Sequence, residues 1–511
     1  MAELFLPLDQ LLVSGGDPRL AVNPASGLND YGCRPSPCPD TPSFASSTAT
    51  SISERAYDRA GRARDELMRS AIAVGIDAAF DARLEAMRGE LKAHLGLSRT
   101  EADVVFSPSG TDAQLQALFL ARTLLGPEVT TVIVAADQTG SGTADTARGR
   151  HFSAATSSGS LVRKGDAIAG LAHSIASVAL PLFDEAGVGR PQAASDAQVL
   201  DAVERSVANG RHVLLQIMDS SKLGWRAPSD QCLDEIAARW PDQVRIVVDA
   251  CQMRLGRARL REYLARGYMV IITGSKFFTG PPFSGALLVP ARLSNAFEGL
   301  ADVAPGLREY TSRSDWPLHW PALRARFPVR ANFGQWLRWE AALEEIRAYY
   351  RVPDEFRRQA LATFGSGVEG LIAASPSLRL LPPQRQSEGG SADGEELAQP
   401  TIFPFVIRYR GRVLTLDQCR KIYRALNRDA QTDVAEGQGA PGITASPCLV
   451  GQPVALGQGG AALRICAGAR MVTETWSPDG EAALANVRRD LGQVAAIVSK
   501  IEWLVAQEGE I

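Results

Sequence analysis

The sequence predicts an α/β fold, with a large domain built on a mostly parallel sheet followed by a smaller α+β domain. Three observations carry this. Short, continuously apolar runs alternate with helical stretches, which is the pattern of strands buried on both faces. Gly- and Pro-rich segments bound those runs. The chain has 511 residues, too many for one simple core.

The elements follow in order. The first part of the chain is rich in Gly, Pro, Ser and Thr, as in Gly15-Gly16-Asp17-Pro18 and Ser46-Ser47-Thr48-Ala49-Thr50-Ser51. Few periodic apolar positions occur there, so residues 1–65 are read as an arm lying over a folded body. A helical pattern runs from about Ser53 to Leu95. Strands are expected at Val104 to Phe106, Thr131 to Ala135, Val213 to Met218, Arg245 to Val248, Met269 to Thr273 and Gly285 to Val289. A helix from Ala113 to Leu125 is stopped by Gly126-Pro127. These elements make up a large domain, residues 66–330.

Asn332 to Tyr350 reads as a long amphipathic helix bridging to a second domain, residues 331–511. That domain has expected strands at Ile402 to Tyr409 and Leu463 to Cys466, and helices at Leu416 to Leu426 and Gly480 to Gln507. The polar stretch from Pro382 to Ala398 is expected to be an exposed insertion.

Composition narrows the function class. The formal charge of -3 is small for this length and argues against a broad nucleic-acid or anionic-membrane footprint. There is no apolar run of about 18 residues, so no membrane span is expected. The start, Met1-Ala2-Glu3-Leu4, does not read as a secretory signal. Seven scattered cysteines suit a reducing compartment, and the five histidines show no metal-ligand spacing. A cytoplasmic protein without a metal is the expectation.

Three segments can carry chemistry. Ser107-Pro108-Ser109-Gly110-Thr111-Asp112-Ala113 opens a helix after a strand, offering backbone N–H groups and a positive dipole end to a phosphate. The same turn can simply be an N-cap, with Ser109 or Thr111 as the capping side chain. Val247-Val248-Asp249-Ala250-Cys251-Gln252 puts a carboxylate at the C-terminal end of an apolar strand, where open α/β sheets bind ligands. In Ile271-Ile272-Thr273-Gly274-Ser275-Lys276-Phe277-Phe278, a lysine sits between a strand and a Gly/Pro-rich turn. Its aromatic neighbours favour a neutral amine, which is a nucleophile toward carbonyls.

The order and spacing of the three resemble the fold-type I pyridoxal-phosphate (PLP) enzymes, specifically the class V aminotransferase group that includes cysteine desulfurases and kynureninases. The resemblance runs from about Ser53 to Ile501 and is strongest from Asp249 through Gly285. It implies a seven-stranded-type sheet and pyridoxal 5'-phosphate held as a Schiff base on Lys276. Gly110 and Thr111 would bind the phosphate, with further contacts from Thr273 and Ser275. Asp249 would pair with the pyridine nitrogen, and Gln252 would lie near the ring hydroxyl. Met218-Asp219-Ser220-Ser221-Lys222-Leu223-Gly224 looks like the family's strand-end turn and places Ser221 near a cofactor oxygen. Ala135-Ala136-Asp137-Gln138-Thr139 puts Gln138 where the family usually stacks a histidine on the ring. The match departs from the family by one extra residue between Lys276 and Gly280-Pro281.

Gly451-Gln452-Pro453-Val454 followed by Leu463-Arg464-Ile465 resembles the small-domain signature, which implies that Arg464 binds the substrate α-carboxylate, with Arg470 as the nearby substitute. The implied partner is an amino-acid substrate, and the implied assembly a homodimer with shared active sites, residues 330–332 reaching the neighbouring subunit. Asn29 and Tyr31 of the arm would cover the pocket. The implied activity is that of an aminotransferase, with a carbon–sulfur or β-elimination lyase as alternative. A desulfurase needs a mobile thiolate, and Cys448 falls two residues short of that place. A non-catalytic binding protein on the same fold is the reading from another class.

Overall fold

A computed structural model of the chain describes residues 2–172, 174–382, 397, 399–428 and 446–507. The Pro382 to Ala398 insertion therefore lies almost wholly outside the described residues. In chain order the strands are β1 (Ser43–Phe44), β2 (Ala102–Ser107), β3 (Val129–Val134), β4 (Ile175–Leu180), β5 (His212–Met218), β6 (Val244–Ala250), β7 (Met269–Thr273) and β8 (Gly285–Pro290). They continue with β9 (Leu378–Leu380), β10 (Ile402–Tyr409), β11 (Arg412–Val413), β12 (Leu449–Ala455) and β13 (Ala461–Cys466).

Seven of these form one sheet in the order β2-β8-β7-β6-β5-β3-β4. Strands β4, β3, β5, β6 and β7 pair in parallel, whereas β8 runs antiparallel to both its neighbours, β2 and β7. The reason is local. A parallel return needs a crossover, usually a helix. The connection from β7 to β8, residues 274–284, contains no helix, so the chain turns straight back. Lys276 sits on that short return.

The expected α/β class and mostly parallel sheet are observed, and six of its strands lie where the apolar runs place them. The seventh, β4, is not legible: Ile-Ala-Ser-Val-Ala-Leu is an edge strand with only partly buried side chains, so no apolar run marks it. The single helical pattern from Ser53 to Leu95 is two helices, Glu54–Val74 and Ile76–His94. Gly75, at φ 82°, breaks them in a conformation that suits glycine.

The second sheet has the order β1-β12-β13-β10-β11, with β9 added to β10. Its strand β1 comes from the N-terminal segment and pairs in parallel with β12, Ser43 opposite Leu449 and Phe44 opposite Val450. The segment is thus stitched into the C-terminal sheet, and Phe44 stacks on Phe364 at 5.5 Å. Among the described residues no helix is long and apolar enough to cross a membrane, and no cluster of His, Cys, Asp and Glu could hold a metal.

The helix Phe333–Arg351 joins the two sheets and is buried along most of its length. Arg338 reaches the N-terminal segment by donating to Leu12 O and Ser14 O, and to Phe283 O. Glu340, 1% exposed, accepts from Arg59, Arg83 and Trp336 Nε1. Truncating a buried ion network strands the surviving charges, at roughly 3 kcal/mol. Glu340→Gln is accordingly expected to lower the urea midpoint with an unchanged slope. A midpoint within error of the wild type would show that the arginines find other partners.

Candidate active site

The C-terminal ends of β3, β5, β6 and β7 lie side by side, and most of the candidate residues collect there. This edge is where an open α/β sheet binds ligands. Lys276 approaches it from the 274–284 return and is followed by buried Phe277 and Phe278. Burial lowers the pKa of its amine, and the nearby Arg464 guanidinium lowers it further against the opposing pull of Cys251 and Asp249. The lysine is therefore drawn toward the neutral, nucleophilic form. Its Nζ has one long contact, 3.4 Å to Ser47 O, an oxygen that also accepts from Gln252 Nε2 at 3.0 Å.

Asp249 is the penultimate residue of β6 and is 6% exposed. Its Oδ1 accepts from Cys251 N at 3.1 Å, and it has no ion-pair partner within 4 Å among the described residues. Gly110 starts the helix Gly110–Leu125 directly against this strand end. A Cβ on Gly110 would fall 2.5 Å from Cys251 Sγ and 3.5 Å from Thr273 Cγ2, so only glycine lets the helix start come so close. Thr273 Oγ1 donates to Cys251 O at 2.7 Å, which ties the lysine return to the aspartate strand. Ser275 is buried beside it.

Ser109 is the N-cap. Its Oγ accepts from Thr111 N and Asp112 N, each at 3.2 Å, and donates to Asp112 Oδ2 at 2.5 Å. Both readings of this turn meet here: it is capped by Ser109, and it opens onto the cluster through Gly110. The loop after β3 packs on the same turn, because a Cβ on Gly142 would meet Thr111 Cγ2 at 2.7 Å. From that loop comes Gln138, 2% exposed, with neither end of its amide hydrogen-bonded. An orphaned buried amide is costly and calls for an explanation. A polar ligand seated at the strand ends would give it partners.

Burial pushes Asp112 up to about 7, and Asp17 adds to the rise against the Ser109 hydroxyl and Arg19. The folded state then binds this proton more tightly than the unfolded chain, so stability falls as pH rises from the ordinary carboxylate range through about 7. Asp112→Asn keeps the shape and removes the charge. Between about pH 5 and about pH 8, the Tm of the cofactor-free wild type is expected to fall relative to that of the variant. Parallel Tm profiles for the two proteins would rule this out.

Ser221, fully buried, spends its oxygen on the turn itself, accepting from Leu223 N at 3.1 Å and Trp225 N at 3.0 Å. Only its hydrogen remains for a ligand. Arg464 reaches the cluster from β13. Its Nη1 donates to Lys222 O at 3.2 Å, and its Nη2 donates to Thr48 Oγ1 at 3.0 Å and to Gln452 O. It has no ion-pair partner among the described residues, and its buried Nε has no acceptor, so donors remain. Arg470 is occupied elsewhere, donating to Ser51 O and Thr279 O near Glu345. Cys448 lies away from the cluster, buried among Pro42, Arg489 and Lys500 with its thiol pushed up to about 11.

Sequence reading did not assign three features of this site. Ser46, Ser47 and Thr48 enter it between the two sheets, although hydroxyl-rich runs carry no signal that separates them from any loop. Arg254 is locked among Thr401, Ala467 and Ser46. Lys222 lies in a turn that was singled out, but as a neighbour of Ser221 only. Tyr31 does approach the region, with its ring 6.2 Å from that of Phe283.

No protein-family model matches this chain, and no curated protein matches it. Solved structures do. Tryptophan decarboxylase of Catharanthus roseus, in complex with L-tryptophan, is 14% identical over 89% of this chain and 83% of its own, with a TM-score of 0.50. The NifS-like protein from Rickettsia africae ESF-5 is 10% identical over 90% of this chain and 99% of its own, at 0.49. The cystine C-S lyase C-DES, in complex with its product cysteine persulfide, is 13% identical over 89% and 98%, at 0.47. The likeness is one of fold. It spans both sheets, and the chemistry of this chain has to be argued from its own side chains.

Proposed function

We propose that this chain is a PLP-dependent enzyme acting on an amino acid, and specifically an aminotransferase. The observation that carries the reading is the meeting of Lys276, Asp249 and Arg464 at one strand edge, beside an unpartnered Gln138 amide. The residues fit the cofactor on three counts. The helix start at Gly110 and Thr111, with Thr273 and Ser275 close by, suits its phosphate. Asp249, without a cationic partner, suits its ring nitrogen. Gln138 would gain from the ring region the polar contacts it lacks.

When bound, PLP draws electrons from the substrate α-carbon. The side chains do the rest. Asp249 keeps the ring nitrogen protonated. Arg464 holds the α-carboxylate and so fixes which α-carbon bond faces the ring. Lys276, shifted toward its neutral form by burial, takes the proton from that carbon and returns it at a different atom. The buried Cys448 offers no thiolate to a desulfurase route.

On this reading the chain divides into a PLP-binding domain (66–330) and a C-terminal domain (331–511), with residues 1–65 as an N-terminal segment whose strand β1 joins the C-terminal sheet and whose last residues begin the helix Glu54–Val74. It acts as a homodimer, which light scattering would report directly. The deciding experiment is a panel of amino acids, each supplied with a second 2-oxo acid to accept the amino group, scored together for new 2-oxo acid, ammonia, sulfide and pyruvate. A 2-oxo acid without ammonia is the expected product. Pyruvate with ammonia or sulfide would establish elimination instead, and a spectral change without product would mark a binding protein.

A further inference from the structure

Four basic side chains lie near one another at the strand edge: Lys222, Arg254, Lys276 and Arg464. None has an ion-pair partner within 4 Å among the described residues. Three have evident work. Lys276 is the cofactor lysine of the reading above, and Arg464 its α-carboxylate ligand. Arg254 is consumed by Thr401 Oγ1, Ala467 O and Ser46 Oγ, at 2.7–2.9 Å, which strap the two sheets together.

Lys222 is the cation left over. Its carbonyl receives Arg464 Nη1, which fixes it against the α-carboxylate ligand. Its amine has no hydrogen-bond partner among the described residues, and the residue is half-buried. Arg464 and Lys276 face it as cations, Asp249 and Asp137 as anions. Neither carboxylate pairs with it within 4 Å: Asp249 accepts from Cys251 N and, on the reading above, faces the ring. Asp137 accepts from Leu182 N and Phe183 N, at 2.8 and 3.3 Å. A half-buried, unpaired ammonium close to two other cations is unfavourable unless an anion joins it. Burial first, then Arg464 and Lys276, bring its pKa down to about 8, so near neutral pH it is largely protonated.

We infer that Lys222 receives the side-chain anion of the substrate, so that the preferred substrates are amino acids with a second acidic group. The inference rests on the proposed active site and adds its substrate class. Arg464 would take the α-carboxylate, and Lys222, one hydrogen bond away through its own backbone, the distal one.

Calorimetric titration of the protein as isolated tests it with unreactive probes, namely succinate and glutarate against butyrate and pentanoate. The wild type is expected to bind the dicarboxylates at least about tenfold more tightly than the monocarboxylates of equal length. Lys222→Met should erase that preference, while Lys222→Arg should keep it. Equal affinities in the wild type, or a preference that survives in Lys222→Met, would overturn the inference. If Lys222→Met does not fold, Lys222→Gln gives the same comparison. Borohydride labelling of Lys276 is run in parallel. A missing label with an intact dicarboxylate preference defeats the cofactor reading and leaves the anion site standing. A present label without the preference does the reverse.

Discussion

Lys276→Ala is expected to abolish both the visible absorbance of the isolated protein and the covalent label fixed by borohydride, and to lower turnover by roughly 10³-fold or more. The physical basis is that one amine does two jobs. On the proposed reading it holds the cofactor, and it moves the α-proton. Among the described residues the other amine of this cluster with a lowered pKa is that of Lys222, whose carbonyl accepts from Arg464. The variant should fold, because Lys276 Nζ contributes only the 3.4 Å contact to Ser47 O, and removing a buried cation relieves a desolvation cost. Its Tm should therefore equal or exceed that of the cofactor-free wild type. A variant that kept the label would place the Schiff base on another lysine, and Lys222→Ala in the same assay would show whether that lysine is Lys222.

Much of this arrangement was legible before the fold was known, for identifiable reasons. Strands β6 and β7 are buried on both faces, so their Val and Ile runs declare them, and the residues at their ends, Asp249 and Lys276, are located with them. Strand β4 sits at the sheet edge and half in solvent, so no such run exists. Gly110 was legible as part of a Ser-Gly-Thr turn that opens a helix after a strand, and the structure adds that a helix starting this close to a strand end needs a residue without Cβ.

The unassigned residues share a different character. Ser47 acts through its backbone oxygen, a group every residue possesses, so its identity says nothing about its position at the lysine. The value of Thr48 depends on Arg464 lying more than four hundred positions later, and no local pattern encodes such a contact. Lys222 looks like any loop lysine until the absence of a counter-ion around it is seen. Charge balance is a property of the assembled pocket and not of a motif.

The arm assignment shows the same limit. A Gly-, Pro- and Ser-rich segment is read as an overlay because it lacks periodic apolar positions. Yet β1 is stitched into the C-terminal sheet, and the hydroxyl run that follows is wedged between the two sheets. Two residues suffice for the pairing, too few for any periodicity to register. The left-handed Thr279, at φ 58°, is held by this wedge: its carbonyl accepts from Thr50 Oγ1 and Arg470 Nη2. A β-branched residue keeps such a conformation only where its surroundings over-determine it. That strain sits three residues from Lys276, on the short return from β7 to β8.

Arg464→Ala should raise KM for amino acids by roughly 10²-fold and change kcat far less. A carboxylate held by a guanidinium is bound about equally before and during reaction, so its loss shows mainly as weaker binding. Arg464→Lys should recover only part of the affinity, since an ammonium cannot present two parallel donors. The side chain also braces the pocket through Lys222 O, Gln452 O and Thr48 Oγ1, so a purely structural role must be separated from a binding one. Primary amines that lack the α-carboxylate make that separation. If Arg464 grips the carboxylate, the Ala variant loses the preference for amino acids over the matching amines while its slow turnover of amines persists. If it merely braces the pocket, both substrate classes decline together and the ratio between them does not move. Retention of the wild-type ratio in a folded Arg464→Ala protein would remove the arginine from the site and, with it, the argument that the substrate is an amino acid.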